Sequence, residues 1–331
     1  MKLRRIVLGN WKNFREVDVR VPDRLFLVGA NASGKSNFLD AIQFLCDVAF
    51  KGGIKEAVSR RGGVLLKNWE APAHEPVHVQ VEVEDYLSRC WTYSLTFDAG
   101  AVEIVNEYAS CDGEVLLSRP DKFDRVHKKR LTYSSISTER FCASAGALLD
   151  FFSSVTLYHD VIKFFWEVGL KAGNPMGGFE SKWERIEEAF HELVPTFRLL
   201  PSVFRALQEK YATGEPYFSR GTCNLLGMLW ETLTGKGLLL LESPEVYLHQ
   251  TVVEKLPHVL RRLNPDRQWI MSTYASRLLQ DEGIGLDEVL VFVPSAVESV
   301  TRVVPAAKLE NVRALVEGGH TIGEAVMPIT E

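Results

Sequence analysis

Residues 24–50 read RLFLVGANASGKSNFLDAIQFLCDVAF. The opening RLFLV is an apolar run of strand length, and Phe38, Ile42, Leu45 and Val48 then recur at helical spacing. Between them, GANASGKS (29–36) fits G-x-x-x-x-G-K-[ST] at every fixed position. Gly29 and Gly34 let the backbone turn N–H groups toward phosphate oxygens, and a helix starting near Lys35 offers its positive end to the same anion. Lys35 is placed to reach β- and γ-phosphates, and Ser36 to hold Mg2+ through its hydroxyl. Asn31, Ser33 and Asn37 complete the expected phosphate cradle. Strand, glycine loop and helix in this order predict a nucleotide site.

Upstream, LRRIVL (3–8) and VDVRV (17–21) flank the turn-rich GNWKN and predict a hairpin. Downstream, VHVQVEVEDY (77–86) alternates, as do the segments after it, so an antiparallel layer is expected from about 77 to 135. WERIEEAFHELVPTF (183–197) puts Trp183, Ile186, Phe190, Leu193 and Phe197 on one helical face, and AGNPMGGFES (172–181) reads as a loop. TCNLLGMLWETL (222–233) is apolar nearly all round, as a buried helix is, and GKG ends it. A leucine strand, a helix (251–263) and strands at 268–273 and 288–295 follow, an alternation that implies a largely parallel sheet. The α/β portions 1–50 and 218–331 are complementary, so they are expected to form one domain. The expected organisation is residues 1–135, an inserted helical lobe over 136–217, and residues 218–331.

The 331 residues carry a net charge of −5 with 46% hydrophobic residues, an ordinary globular balance that does not mark the whole molecule as a nucleic-acid binder. Cys46, Cys90, Cys111, Cys142 and Cys223 are scattered without zinc spacing, which fits reduced thiols in the cytoplasm. No apolar run has signal-peptide or bilayer-spanning length, so no membrane association is expected. There is no internal repeat and no long heptad run.

LVGANASGKSNFLDAIQFL, preceded by LRRIVLGNWKNFREVDVRV, resembles the N-terminal half of the SMC/RecF-like ABC ATPases. KGGIKEAVSRRGG (51–63), FSRGTCNLLGMLW, LLLLESPEVYLHQ (238–250), STYASRLLQDEGIGLDEVLVF and RALVEGGHTIGEAVMP continue the likeness. More narrowly, the chain is similar to the compact bacterial AAA-type OLD-like ATPases, many of which serve anti-phage or mobile-element systems. The resemblance implies an α/β fold: a P-loop NTPase of the ABC (RecF/SMC-like) type, with a mixed sheet, an antiparallel layer and the helical insertion. It also implies ATP bound with Mg2+ between two head-to-tail protomers, a homodimer or a pairing with a related subunit. Ser219 and Gly221 of SRGT would be the signature loop that closes the partner's site, and Glu242 would orient a Mg2+-bound water. Arg220 either adds a cation beside the partner's phosphate or is solvated.

Two positions depart from that pattern. Ser243 stands where the family carries the glutamate that polarises the attacking water, and a serine hydroxyl accepts no proton usefully at neutral pH without a base beside it. Tyr274 of STYAS (272–276) replaces the switch histidine, and a phenol with a reference pKa near ~10 senses phosphate charge poorly. Glu245 matches the outer glutamate of the family's EPE and is not expected to fill the missing place. Binding depends on the loop amides and Lys35, whereas rate depends on positioning water, so the leading expectation is ATP binding with slow or absent hydrolysis. The alternatives are an ATPase whose water is activated by another residue or a partner subunit, and an ATP-gated DNA-binding clamp.

KFDRVHKKR (122–130) could contact DNA phosphates or form a solvated loop between strands. His249, in line with the family's LHP, is expected to be a structural or dimer-edge residue rather than a ligand. No acidic cluster of a TOPRIM nuclease follows residue 300, so an effector is expected to be a separate protein.

Overall fold

The computed structural model describes residues 1–50, 53–72, 74–136, 138–158, 179–196, 219–295 and 300–330. Two six-stranded sheets sandwich one helix. The first sheet is antiparallel, in the order β2-β1-β4-β5-β6-β7. Its strands are β1 (Lys2–Trp11), β2 (Phe14–Arg20), β4 (Val77–Glu84), β5 (Cys90–Asp98), β6 (Glu103–Cys111) and β7 (Glu114–Arg119). The second runs β12-β11-β3-β10-β9-β8, parallel except for its β11–β12 edge pair. It comprises β3 (Arg24–Val28), β8 (Thr156–Tyr158), β9 (Leu239–Glu242), β10 (Trp269–Thr273), β11 (Val289–Pro294) and β12 (Thr301–Pro305).

Strand β3 lies between β10 and β11, so the two distant α/β portions interleave in one sheet, as expected. All five of its residues are buried, with Leu25 and Leu27 entering one core and Phe26 and Val28 the other. Helix α1 (Lys35–Phe50) fills the space between the sheets. Its Phe44 stacks on Phe97 of the antiparallel layer at 5.3 Å, and its Phe38 meets Phe292 of the parallel one edge-on at 5.8 Å. Gln268 clips the sheets together at the far end, accepting from the Leu3 N–H at 2.7 Å and donating to the carbonyls of Leu3 and Pro22.

On the outer face of the parallel sheet pack α5 (Phe179–Leu193), α6 (Arg220–Thr234) and α7 (Gln250–Leu263). Trp183, Ile186, Phe190 and Leu193 are buried there, the face that the spacing predicts; Phe197 and most of the 172–181 loop lie outside the described residues. The described parts of 136–217 pack into the same two cores. Leu148, Phe151 and Phe152 of α4 (Glu139–Ser154) join the inner core, and β8 extends the parallel sheet beside β9. Residues 159–178 and 197–218 of the expected insertion lie outside the described residues.

One expectation is corrected. The antiparallel layer ends at Arg119, not near 135, and the basic run is helical rather than a loop between strands. Pro120 offers no N–H to continue β7, and Asp121 caps α3 (Lys122–Val126) in a reciprocal box with Asp124. A 3-10 helix over Lys128–Thr132 follows. These turns rest on Arg119, whose five N–H groups all donate: to Asp124 twice, to Glu107, and to the carbonyls of Arg130 and Tyr133. Tyr93 and Ser134 also donate to Glu107.

Such a network is fully satisfied only while its cation is present. Arg119→Met should therefore destabilise the fold by about 3–5 kcal/mol in urea unfolding, because Glu107 and Asp124 would be buried without a counter-charge. The Arg119 guanidinium holds Asp124 down at about 2, against an ordinary 3.8. Its contribution to stability should be complete above about pH 4 and be lost as pH falls toward 2, a loss read by acid titration of the unfolding midpoint.

Candidate nucleotide-binding site

Strands β3, β10 and β9 lie side by side, with Val28 opposite Thr273 and Ser272 opposite Glu242. The parallel register makes all three end at one edge of the sheet. The glycine loop after β3, Tyr274 after β10 and Glu242–Ser243 at the end of β9 therefore converge, where parallel sheets present ligand sites.

The loop is built around two glycines with no room for a side chain. A Cβ on Gly29 would lie 2.7 Å from Ser33 Oγ and 2.9 Å from Phe292. Gly34 has φ +99°, and a Cβ there would meet the Asn13 amide at 2.1 Å. Asn13, from the β1–β2 turn, is the residue that sequence reasoning missed. Its buried side chain donates to the Ser33 carbonyl (3.1 Å) and the Thr301 hydroxyl (2.9 Å) and accepts from the Asn37 amide (2.7 Å). Asn37, expected among the phosphate contacts, thus turns its amide to Asn13, while its carbonyl accepts from the Trp11 indole. Asn31 and Ser36 are exposed at the loop surface, and Ser36 lies in the first turn of α1.

Lys35 is buried, and its ammonium donates to the carbonyls of Gly29 (2.7 Å) and Ala30 (2.8 Å). Burial lowers its pKa, and the charge of Glu245 opposes that shift. Glu245, the outer glutamate of the EPE resemblance, lies inside the protein. It is only 7% exposed, and its Oε1 accepts from the Thr273 hydroxyl (2.8 Å) and the Tyr274 N–H (3.1 Å). Burial raises its pKa, against hydrogen bonds from its own N–H, from Thr273 and from Tyr274, and against the field of Lys35.

The residues fit a triphosphate with a divalent cation. Two buried polar atoms at the loop, Ser33 Oγ and Glu245 Oε2, have no hydrogen-bond partner among the described residues. Buried orphans of this kind call for a ligand or an ordered water. No group of three or more His, Cys, Asp or Glu is arranged around a metal among the described residues. Mg2+ takes one or two protein oxygens and completes its shell with phosphate and water.

Ser243 has φ +44°, and its N–H is held by both the carbonyl and hydroxyl of Ser272 at 3.1 Å. The Tyr274 side chain is 53% exposed. Ser219 caps α6, accepting from the Thr222 N–H. Gly221 lies so close to the Tyr247 carbonyl that a Cβ would approach it to 2.3 Å, and the Asn224 amide donates to the carbonyls of Val246 and Pro244. The SRGT segment is therefore packed on the turn that follows β9. Arg220 is exposed, with its guanidinium over the Tyr247 ring at 5.8 Å. His249 has the structural role expected of it, capping α7 by accepting from the Thr251 N–H.

With this geometry in view, the likeness to known proteins is informative. The SMC head domain from Thermotoga maritima superposes with a TM-score of 0.53 at 14% identity, over 92% of this chain and 99% of that one. An Smc head bound to the C-terminal winged-helix domain of ScpA gives 0.58 at 14% identity, over 92% and 97%. The Smc head with an extended coiled coil, bound to the C-terminal domain of ScpA derived from Pyrococcus furiosus, gives 0.54 at 13%, over 96% and 100%. The fold is that of an SMC-type ABC ATPase head. Residues 25–136 match the family described as "AAA domain, putative AbiEii toxin, Type IV TA system". No curated protein matches the chain. Among the described residues, no helix is long and apolar enough to cross a membrane.

The head fold makes the loop's bracing testable. Asn13→Ala removes three hydrogen bonds, each worth about 0.5–1.5 kcal/mol, and should weaken ATP binding by roughly ten-fold or more in a fluorescent-nucleotide titration. Gly34→Ala should abolish binding, since it adds a clash with Asn13 to the strain of a left-handed backbone.

Proposed function

We propose that the protein is an ATP-binding head that acts as a nucleotide-gated scaffold or sensor and turns ATP over slowly at most. The observation that carries this reading is an intact, braced phosphate loop beside Ser243, at the position where resemblance calls for a glutamate. Gly29, Ser33, Gly34 and Lys35 would line the phosphates with the exposed Asn31, and Asn37 would support them through Asn13. Ser36 and Glu242 would hold Mg2+, whose chemistry is to neutralise phosphate charge. Ser219 and Gly221 would close the site of a second protomer, identical or related, across a head-to-tail dimer. Residues 1–135 and 218–331 would make up the head, with 136–217 inserted. By resemblance to the OLD-like proteins, we place the chain in the cytoplasm, in an anti-phage defence system with a separately encoded effector.

The test pairs two measurements on purified protein, bound nucleotide and phosphate release under excess ATP. Retained ATP should be lost in Lys35→Ala. Release should be about 10²–10⁴-fold below that of a head whose water has a dedicated base. Rapid Mg2+-dependent release that disappears in Lys35→Ala overturns the reading.

A DNA-clamp role has one observation in its favour. Lys122, Arg125, Lys128 and Lys129 are exposed on the helical turns above the Arg119 network, beside exposed Phe123 and Tyr133, and Lys55 lies over the Tyr133 ring at 5.4 Å. Arg130 is instead paired with Asp121 and Asp124. On this reading, replacing Arg125, Lys128 and Lys129 together with alanine would abolish salt-dependent DNA binding and leave ATP retention intact.

A further inference from the structure

Glu245 is the one acid among the described residues that combines burial, an unpartnered oxygen and proximity to the phosphate-loop lysine. Its 7% exposure excludes bulk water, and a buried carboxylate oxygen without a donor is costly. Its other oxygen is fixed by two donors at the end of β10, Thr273 and Tyr274, so the carboxyl group has one satisfied oxygen and one buried oxygen without a donor. It lies close enough to Lys35 for each charge to shift the other. Ser243 cannot supply a base, and its backbone is pinned by Ser272 in a left-handed conformation.

We infer that Glu245 carries the residual slow turnover as a weak substitute for the missing glutamate, with Oε2 accepting the hydrogen bond, and then the proton, of the water that attacks ATP. This rests on the nucleotide-binding reading above and deepens it by assigning the residual turnover to one residue. The water oxygen forms a bond to the γ-phosphorus while the bond from phosphorus to the bridging oxygen breaks, its electron pair leaving on ADP. The water proton goes to Glu245 Oε2 and then to the released phosphate. Thr273 and Tyr274 would hold the carboxylate in place, so the switch segment would govern the base rather than touch the phosphate through a histidine.

The decisive variant is Glu245→Gln. It keeps the shape and an acceptor for Thr273 and Tyr274, and removes the proton acceptor. Three quantities are measured on wild type and variant: affinity for fluorescent ATP, phosphate release in a single turnover, and the ATP-to-ADP ratio of bound nucleotide after incubation. The expected result is affinity within a few-fold of wild type, release lowered by about 10²-fold or more, and bound nucleotide that remains ATP. If Glu245→Gln fails to bind ATP, Glu245→Asp, which withdraws the carboxylate by one methylene, should retain affinity and lower release by roughly ten-fold. Release that is unchanged in whichever variant binds ATP overturns the inference. Wild-type protein that binds ATP and releases no phosphate at all also overturns it, while leaving the scaffold reading intact. Wild-type protein that does not bind ATP defeats both.

Discussion

Asn13 occupies the volume that a side chain at position 34 would need, and it spends all its hydrogen bonds on holding that place. Its partners come from three directions: the loop carbonyl of Ser33, the α1 residue Asn37, and Thr301 at the start of β12. The shape of the glycine loop is thus set from the opposite layer of the molecule as well as by the loop's own glycines. Gln268 ties the same two layers together at the far end. Between these two polar clips α1 is packed on both sides by aromatic rings, and its N-terminus cannot shift without disturbing one sheet or the other.

Two of the buried charged assemblies among the described residues differ in a way that separates architecture from chemistry. Around Arg119 every donor finds an acceptor, which is what a network that only stabilises must achieve. Around Lys35 the balance is incomplete, with orphaned oxygens on Ser33 and Glu245. Desolvation acts on both partners there, lowering the lysine and raising the glutamate, while each charge opposes the other's shift. On the proposed reading, phosphate oxygens would accept from Ser33 and Lys35, and a bound water would donate to Glu245.

The parts legible in the sequence were those with local period or local chemistry. The loop motif, the α1 spacing, the β1–β2 hairpin and the parallel strands all declared themselves within a window of a dozen residues. The α3 turn was legible too, because Asp121 and Asp124 form an acid-x-x-acid box after Pro120, but clustered cations drew attention away from it. Strand β8 has three residues and is defined only by its neighbour β9. Asn13 and Glu245 were illegible for a different reason. One looked like a turn residue and the other like a flanking acid, and their roles arise from partners 20 to 288 positions away in the chain.

The close approach at Gly221 has a mechanical implication. With the Tyr247 carbonyl where a methyl group would be, and Asn224 gripping the carbonyls of Pro244 and Val246, the surface bearing Ser219 and Arg220 has no slack against the turn beneath it. A load applied to that outer surface is delivered to the peptide on either side of Glu245, as through a short rigid lever. The acid at the heart of the molecule is therefore within reach of whatever leans on its rim.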